Sequence, residues 1–185
     1  NNITIVSGLA EGIDTMAHKA CLDVHGKTIA VLGGGLLNIF PSSNKVLAKN
    51  ILESGGLIIS EYKPNEPCIA YHFPVRNRII AGLSKGVFVV EATEKSGSMH
   101  TKNFALDFNR EVFAMPARIN DIYSDGCNKI IRNGQARMVL SSQDIIEFFG
   151  KSYSKPKEEK MAQMSIDEQL IYDKLKGQEL HFDEI

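Results

Sequence analysis

The densest chemistry in the chain lies in one run, His72-Phe73-Pro74-Val75-Arg76-Asn77-Arg78-Ile79-Ile80-Ala81-Gly82-Leu83-Ser84. Val75, Ile79, Ile80 and Leu83 mark a buried face of a helix. With about 100° per residue, Arg76 falls inside that apolar arc, while Asn77 and Arg78 fall outside it. A guanidinium on a buried face needs an anionic partner, because an unpaired charge there is costly. That partner is either an internal carboxylate, with Glu61 and Glu91 as candidates, or the phosphate of a ligand. Phe73, just ahead of Pro74, is either a stacking platform for a base or a packing plug. An aromatic ring and two arginines beside glycine-rich turns form the combination expected for single-stranded nucleic acid.

Those turns recur along the chain. Ser7-Gly8-Leu9-Ala10-Glu11-Gly12, Gly33-Gly34-Gly35, Ser60-Glu61-Tyr62, Glu91 to Ser98 and Met115-Pro116-Ala117-Arg118 each follow a short β-branched run. Small residues at a strand-to-helix turn let backbone N–H groups approach an anion. A tight turn also needs glycine for its own sake, so it is the recurrence of such loops at one sheet edge that points to a binding edge.

Other chemistries fit less well. Gly33-x-Gly35 followed by Glu61 invites a dinucleotide reading, but the third glycine of that fingerprint is replaced by Asn38. No G-x-S-x-G elbow occurs, and Ser96-Gly97-Ser98 lacks an evident His and acid partner. The five histidines show no metal-ligand spacing. His18 is expected to be a satisfied, semi-buried residue. No catalytic residue, metal or cofactor is expected.

The elements that must position these residues follow from periodicity. Apolar strands are predicted at Ile3–Val6, Thr28–Leu32, Leu57–Ile59, Val87–Val90, Val112–Met115 and Arg137–Leu140. Between them lie helical patterns at 13–24, 43–53, 75–84, 98–109, 126–133 and 142–149. Strands alternating with helices of this length predict an α/β fold with a doubly wound, mostly parallel sheet, covered on both faces. Residues 1–150 form this domain, which opens directly on a strand and so reads as N-terminally incomplete. Residues 151–164 are polar and aperiodic, a linker. Ser165-Ile166-Asp167-Glu168 then reads as a capping box opening a truncated helical tail over 165–185.

Composition narrows the function classes. The 185 residues carry a net charge of −1, and residues 1–150 hold 15 Lys+Arg against 14 Asp+Glu. That lacks the basic excess of a typical duplex-DNA binder, so a polyanion would have to be held by a local pocket. No apolar run is long enough to span a membrane. Cys21, Cys68 and Cys127 are far apart, which suits reduced thiols in the cytoplasm. Ile145, Ile146, Phe148 and Phe149 crowd one short helix and are expected to serve self-association, with packing on the parent sheet as the alternative.

Taken in order, Ser7 to Asp14 with Ala17-His18, Ile29 to Gly35, Gly56 to Glu61, Phe73 to Ser84, Val89 to Ala92, Ser96-Gly97-Ser98 and Arg110 to Ala114 closely resemble the DNA-processing protein A (DprA/Smf) family. The Arg76 to Ser84 run is the most specific part. The resemblance spans roughly residues 3–150 and implies an extended Rossmann-like domain. It also implies a recombination mediator that binds single-stranded DNA and hands it to the RecA recombinase in natural transformation, and that forms a homodimer through the end of this domain. Carried over by position, the DNA pocket so implied comprises Phe73, Arg76, Asn77, Arg78, Ser96, Gly97 and Ser98; Gly8 and Lys102 are counted with it as further candidates from their own segments, and Ile145, Ile146 and Phe149 are the residues expected at the dimer interface. Members carry a first strand and a phosphate-binding Arg loop that would lie upstream of Asn1, and a winged-helix-like domain whose start the tail resembles. Two departures sit at the pocket: Met99-His100-Thr101-Lys102 replaces a Leu-Ile-Thr-Ala-like run, and Ala117 replaces a glycine.

Two other readings stand beside this one. A nucleotide-processing phosphoribohydrolase would share the fold, but its Pro-Gly-Gly-x-Gly-Thr-x-x-Glu pattern is missing. A nucleotide-sensing regulatory module is the third.

Overall fold

The computed structural model describes residues 3–151. Apart from Lys151, the expected linker and the helical tail lie outside the described residues.

All six expected strands form: β1 (Ile5–Ser7), β2 (Thr28–Val31), β3 (Leu57–Ile59), β4 (Gly86–Val89), β5 (Glu111–Ala114) and β6 (Arg137–Met138). They make two three-stranded sheets, ordered β1-β2-β3 and β4-β5-β6, in which every pairing is parallel. Read outward from β1 and β4, these halves have the 3-2-1 and 4-5-6 orders of a doubly wound Rossmann-like fold. The α/β expectation is met, with the parallel strands divided between two ladders.

Among the described residues six α-helices alternate with the strands: α1 (Ile13–Asp23), α2 (Lys45–Glu53), α3 (His72–Leu83), α4 (Ser98–Asp107), α5 (Asp125–Arg132) and α6 (Ser142–Phe148). None of the described helices is long and apolar enough to cross a membrane. Helix α3 starts three residues ahead of the predicted 75. Pro74 does not prevent this, because its missing N–H falls among the first four donors, which have no helical acceptor anyway. α3 is the crossover between the sheets, touching β1 and β2 and packing most extensively on α4.

Each sheet has its own apolar core. Leu9, Ala30, Leu32, Leu47, Ala48 and Ile51 fill the first. Val87, Val89, Ala105, Val112, Ala114, Cys127 and Ile130 belong to the second. Phe113 of β5, 1 % exposed, meets Phe148 and Phe149 edge-on at 5.3 and 5.9 Å between ring centroids. Part of the apolar crowding around α6 is therefore spent on the parent sheet. Ile145, Ile146 and Phe149 remain partly exposed and Phe148 exposed.

His18 is fully buried rather than semi-buried. The Thr28 hydroxyl donates to Ile5 O at 2.9 Å, so it accepts from His18 Nδ1–H at 2.7 Å. That tautomer leaves Nε2 unprotonated, buried and without a partner. Burial pushes the imidazole pKa below its ordinary value, against a smaller upward pull from Asp14. The neutral ring thus clips α1 to β1 and β2. Between the ordinary histidine pKa and the lowered folded value, the unfolded chain binds more protons than the folded one. Stability must then rise with pH across that window and fall on acidification. Thermal unfolding from pH 7.5 down to pH 5 should show the loss, at up to about 1.4 kcal/mol per pH unit within the window. A His18→Gln variant, less stable at neutral pH, should lose that component of the slope.

Candidate nucleic-acid interface

Arg76 is the residue around which the carboxyl edge is built. It is 4 % exposed, more buried than the apolar residues that predicted its burial: Val75, Ile79 and Ile80 are only partly buried and Leu83, expected on the buried face, is 52 % exposed. The partners of Arg76 are neither of the carboxylates, Glu61 and Glu91, offered as the internal alternative to a ligand phosphate. Nη1 donates to the carbonyl oxygens of Gly8, at 3.0 Å, and Val31, where β1 and β2 end. Nε donates to Asn77 Oδ1 at 3.1 Å. Burial lowers the guanidinium pKa, while Asp14 is the largest of the charges opposing that shift. Asp14 also accepts from Gly8 N–H at 2.8 Å and Ala10 N–H at 3.2 Å, which holds the loop after β1 against Arg76. Glu61 pairs instead with Arg78.

This packing explains the first glycine signal. A Cβ on Gly8 would lie 2.5 Å from Arg76 Nη2 and 2.9 Å from Asp14 Oδ2. The second has a similar origin. Gly33 lies under the Phe73 ring, Gly34 against Cys68, and Gly35 against the backbone carbonyls of Lys63 and Pro64. Gly35 N–H donates to Glu66 O at 2.8 Å. The chain itself fills this loop, so its glycines serve close backbone packing and not an anion cradle.

Phe73 is half-buried. Besides covering Gly33, it lies 5.8 Å from the exposed Phe40 ring and 5.9 Å from the Arg76 guanidinium carbon. His72, buried beside it, bonds Gly33 O at 3.0 Å and stacks on Tyr62. Asn77 reaches the next loop, donating to Gly97 O at 3.3 Å. There Ser96 Oγ accepts from Thr93 N–H at 2.9 Å, shaping the turn into α4. Gly97 is exposed, and a Cβ on it would meet no atom within 4 Å. Gly8, Phe73, Arg76, Asn77, Ser96, Gly97 and Ser98 thus share one edge, linked through α3. Arg78 joins them on the exposed side of α3, with its charge matched by Glu61.

Lys102 does not join them through any contact. It is 7 % exposed, and its ammonium is directed to Gln135 across the α4–α5 cleft. The sequence carried the signal: Lys102 stands three residues from both Met99 and Ala105, on the packed face of α4. Asn44 was missed altogether. Buried, it donates to Leu9 O at 2.9 Å and to Thr15 Oγ1 at 2.7 Å, fixing the loop after β1 from the far side.

Known proteins are similar to this chain in sequence and fold. The profile of the family described as DNA recombination-mediator protein A matches residues 1–150. The chain belongs to this family. Protein Smf of Escherichia coli is 51 % identical over 145 residues, which are 78 % of this chain and 38 % of that protein. The X-ray structure of DNA processing protein A from Streptococcus pneumoniae superposes with a TM-score of 0.74 at 47 % identity, covering 83 % of this chain and 53 % of that one. The Helicobacter pylori DNA processing protein A, described for its single-stranded DNA binding mode, gives 0.73 at 35 % identity over 82 % of this chain and 67 % of that one. The chain spans about half or less of the length of the curated relatives from S. pneumoniae and E. coli, 52 % and 38 %.

The buried guanidinium makes a direct prediction for this family member. Gly8→Ala should destabilise the domain by about 1–3 kcal/mol, the usual cost of overpacking. Urea unfolding measures it. Gly97→Ala, with open space around its Cβ and a helical φ of −57°, should leave stability nearly unchanged. Equal effects at the two glycines would show that Arg76 yields freely.

Proposed function

We propose that the chain is the DNA-holding part of a recombination mediator, binding single-stranded DNA without sequence preference. The observation that carries this reading is the joining of Phe73 to the Ser96-Gly97-Ser98 turn through Arg76 and Asn77. An aromatic platform and an exposed backbone turn then lie along one path. Family membership and the single-stranded DNA binding described for the H. pylori relative support it. A base stacks on Phe73, and the adjoining phosphates pass over Gly97 and the first N–H groups of α4, where the helix dipole favours negative charge. Arg76 acts by positioning, with its Nε and Nη1 donors held by Asn77, Gly8 and Val31. Arg78 offers a cation at the rim, shared with Glu61.

The role is binding and presentation, without a catalytic step, and the recipient of the strand is the RecA recombinase. This is the division of labour that suits a reduced, cytoplasmic setting. The partly exposed Ile145, Ile146 and Phe149 of α6 contribute to a homodimer. Mutually exposed apolar surface beside Phe148 favours this, whereas the Phe113 contacts account for only one side of the helix. Light scattering at tens of micromolar should therefore give a dimer mass, and Ile145→Glu with Phe149→Glu should give a folded monomer. A wild-type monomer at that concentration would overturn the dimer.

Phe73→Ala should weaken oligo-dT binding by about 1–3 kcal/mol, the scale of one base stack. Gly97→Ala should also weaken it while leaving the fold intact. Affinity should fall with salt at roughly −0.7 in log–log slope per phosphate held, and duplex should bind more weakly. Normal oligo-dT binding by a folded Phe73→Ala would reduce Phe73 to packing. Release of base or shortened strands would move the enzymatic reading to first place.

A further inference from the structure

Lys102 is a cation with too few partners. It is 7 % exposed, and its one hydrogen bond, to Gln135 Oε1, is 3.5 Å long, at the outer limit of such a contact. None of the ion pairs among the described residues includes it. An ammonium carries three donors, and burying one without a counter-charge is unfavourable.

The space around it is not filled by protein. Lys102 lines a cavity of about 200 Å³ between α4 and α5, together with Asn103, Lys129, Asn133, Gln135 and Glu94. Glu94 is the one carboxylate in this lining, and Lys129 holds it in an ion pair. Lys102 is left as the uncompensated charge, and the lining is net positive. The side-chain amides of Asn103, Asn133 and Gln135 can each donate as well as accept. A buried cation ringed by amides is the chemistry that receives an oxyanion.

We propose that this cleft is a second ligand site, which takes a phosphate group against Lys102. It is separate from the Phe73 edge in its residues, and it does not depend on single-stranded DNA binding there. The phosphate can be free or the terminal group of a nucleotide strand; the chemistry at Lys102 is the same.

The test uses the full chain, with inorganic phosphate as the probe at matched pH and ionic strength. Calorimetry should detect phosphate binding to the wild type, weaker by about tenfold or more in Lys102→Met, which keeps the apolar stem but removes the charge. In chloride buffer Lys102→Met should be at least as stable as the wild type, because an uncompensated buried charge has been removed. Phosphate should then raise the melting temperature of the wild type more than that of the variant. Should Lys102→Met fail to fold, Lys129→Met at the exposed rim carries the same comparison, since it frees Glu94 to repel the anion.

Oligo-dT with a 5′-phosphate or a 5′-hydroxyl separates the two sources. A wild-type preference for the phosphorylated end that disappears in the variant assigns the site to strand ends. Phosphate binding without that preference assigns it to free phosphate. Equal phosphate affinity in wild type and variant, or no binding together with no end preference, overturns the proposal and leaves Lys102 solvated by water.

Discussion

The carboxyl edge of this domain depends on one buried guanidinium. At the ends of β1 and β2 the backbone leaves the ladder, and carbonyl oxygens there would lack donors. Arg76 supplies them, reaching Gly8 O and Val31 O from α3. Arginine is suited to this, because its planar fork serves several acceptors at once and stays charged when buried. The cost of desolvating it is offset by two carbonyl dipoles, the Asn77 amide and the nearby Asp14. Much else then follows. Residue 8 must lack a side chain, Asp14 must hold the loop from beneath, and the turn of α3 bearing Phe73 and Asn77 is fixed in place.

That constraint divides the polar edge into an inner and an outer layer. Gly8, Gly33, Gly34, Gly35 and the Nε and Nη1 donors of Arg76 are used up by the chain's own packing. What stays open is Phe73 with Phe40, the exposed Gly97 turn, and the Arg78–Glu61 pair. Phe73, Phe40 and Gly97 carry no side-chain donor or acceptor that could read a base edge. They offer a ring face and backbone donors, which every nucleotide can use. The near-neutral charge of the chain fits the proposed reading, in which only a few phosphates would be met and no broad basic surface would be needed.

The elements were legible because strands and helices have different periods. All six strands and six helices follow from apolar spacing, with boundaries displaced by a few residues. The site was legible only in part. Helical spacing placed Arg76 on a buried face, but could not name carbonyls 68 and 45 positions away as its partners. Opposite charge suggested Glu61, and Glu61 is bound to Arg78, two residues further along the same helix. The glycine turns were read as an anion-binding edge, with the demands of tight turns as the alternative. At Gly33 to Gly35 the approaching group is the chain's own Phe73 and 63–68 segment, which sequence alone cannot distinguish from a phosphate.

The position of this edge within the fold carries its own consequence. Among the described residues no ladder bond joins the two sheets, each of which packs its own core. In a doubly wound order the point where β1 faces β4 is where adjacent loops turn to opposite faces and open a crevice. The seam between the sheets is spanned by α3 packing on α4 rather than by strand pairing. Asn77 is the polar link across it, accepting from Arg76, which grips the first sheet, and donating to Gly97 at the start of α4. A strand lying from Phe73 to Gly97 would bridge the same seam from outside. Ligand and side chain would thus brace one joint, so the edge is pre-organised by the contacts that a bound strand would reinforce.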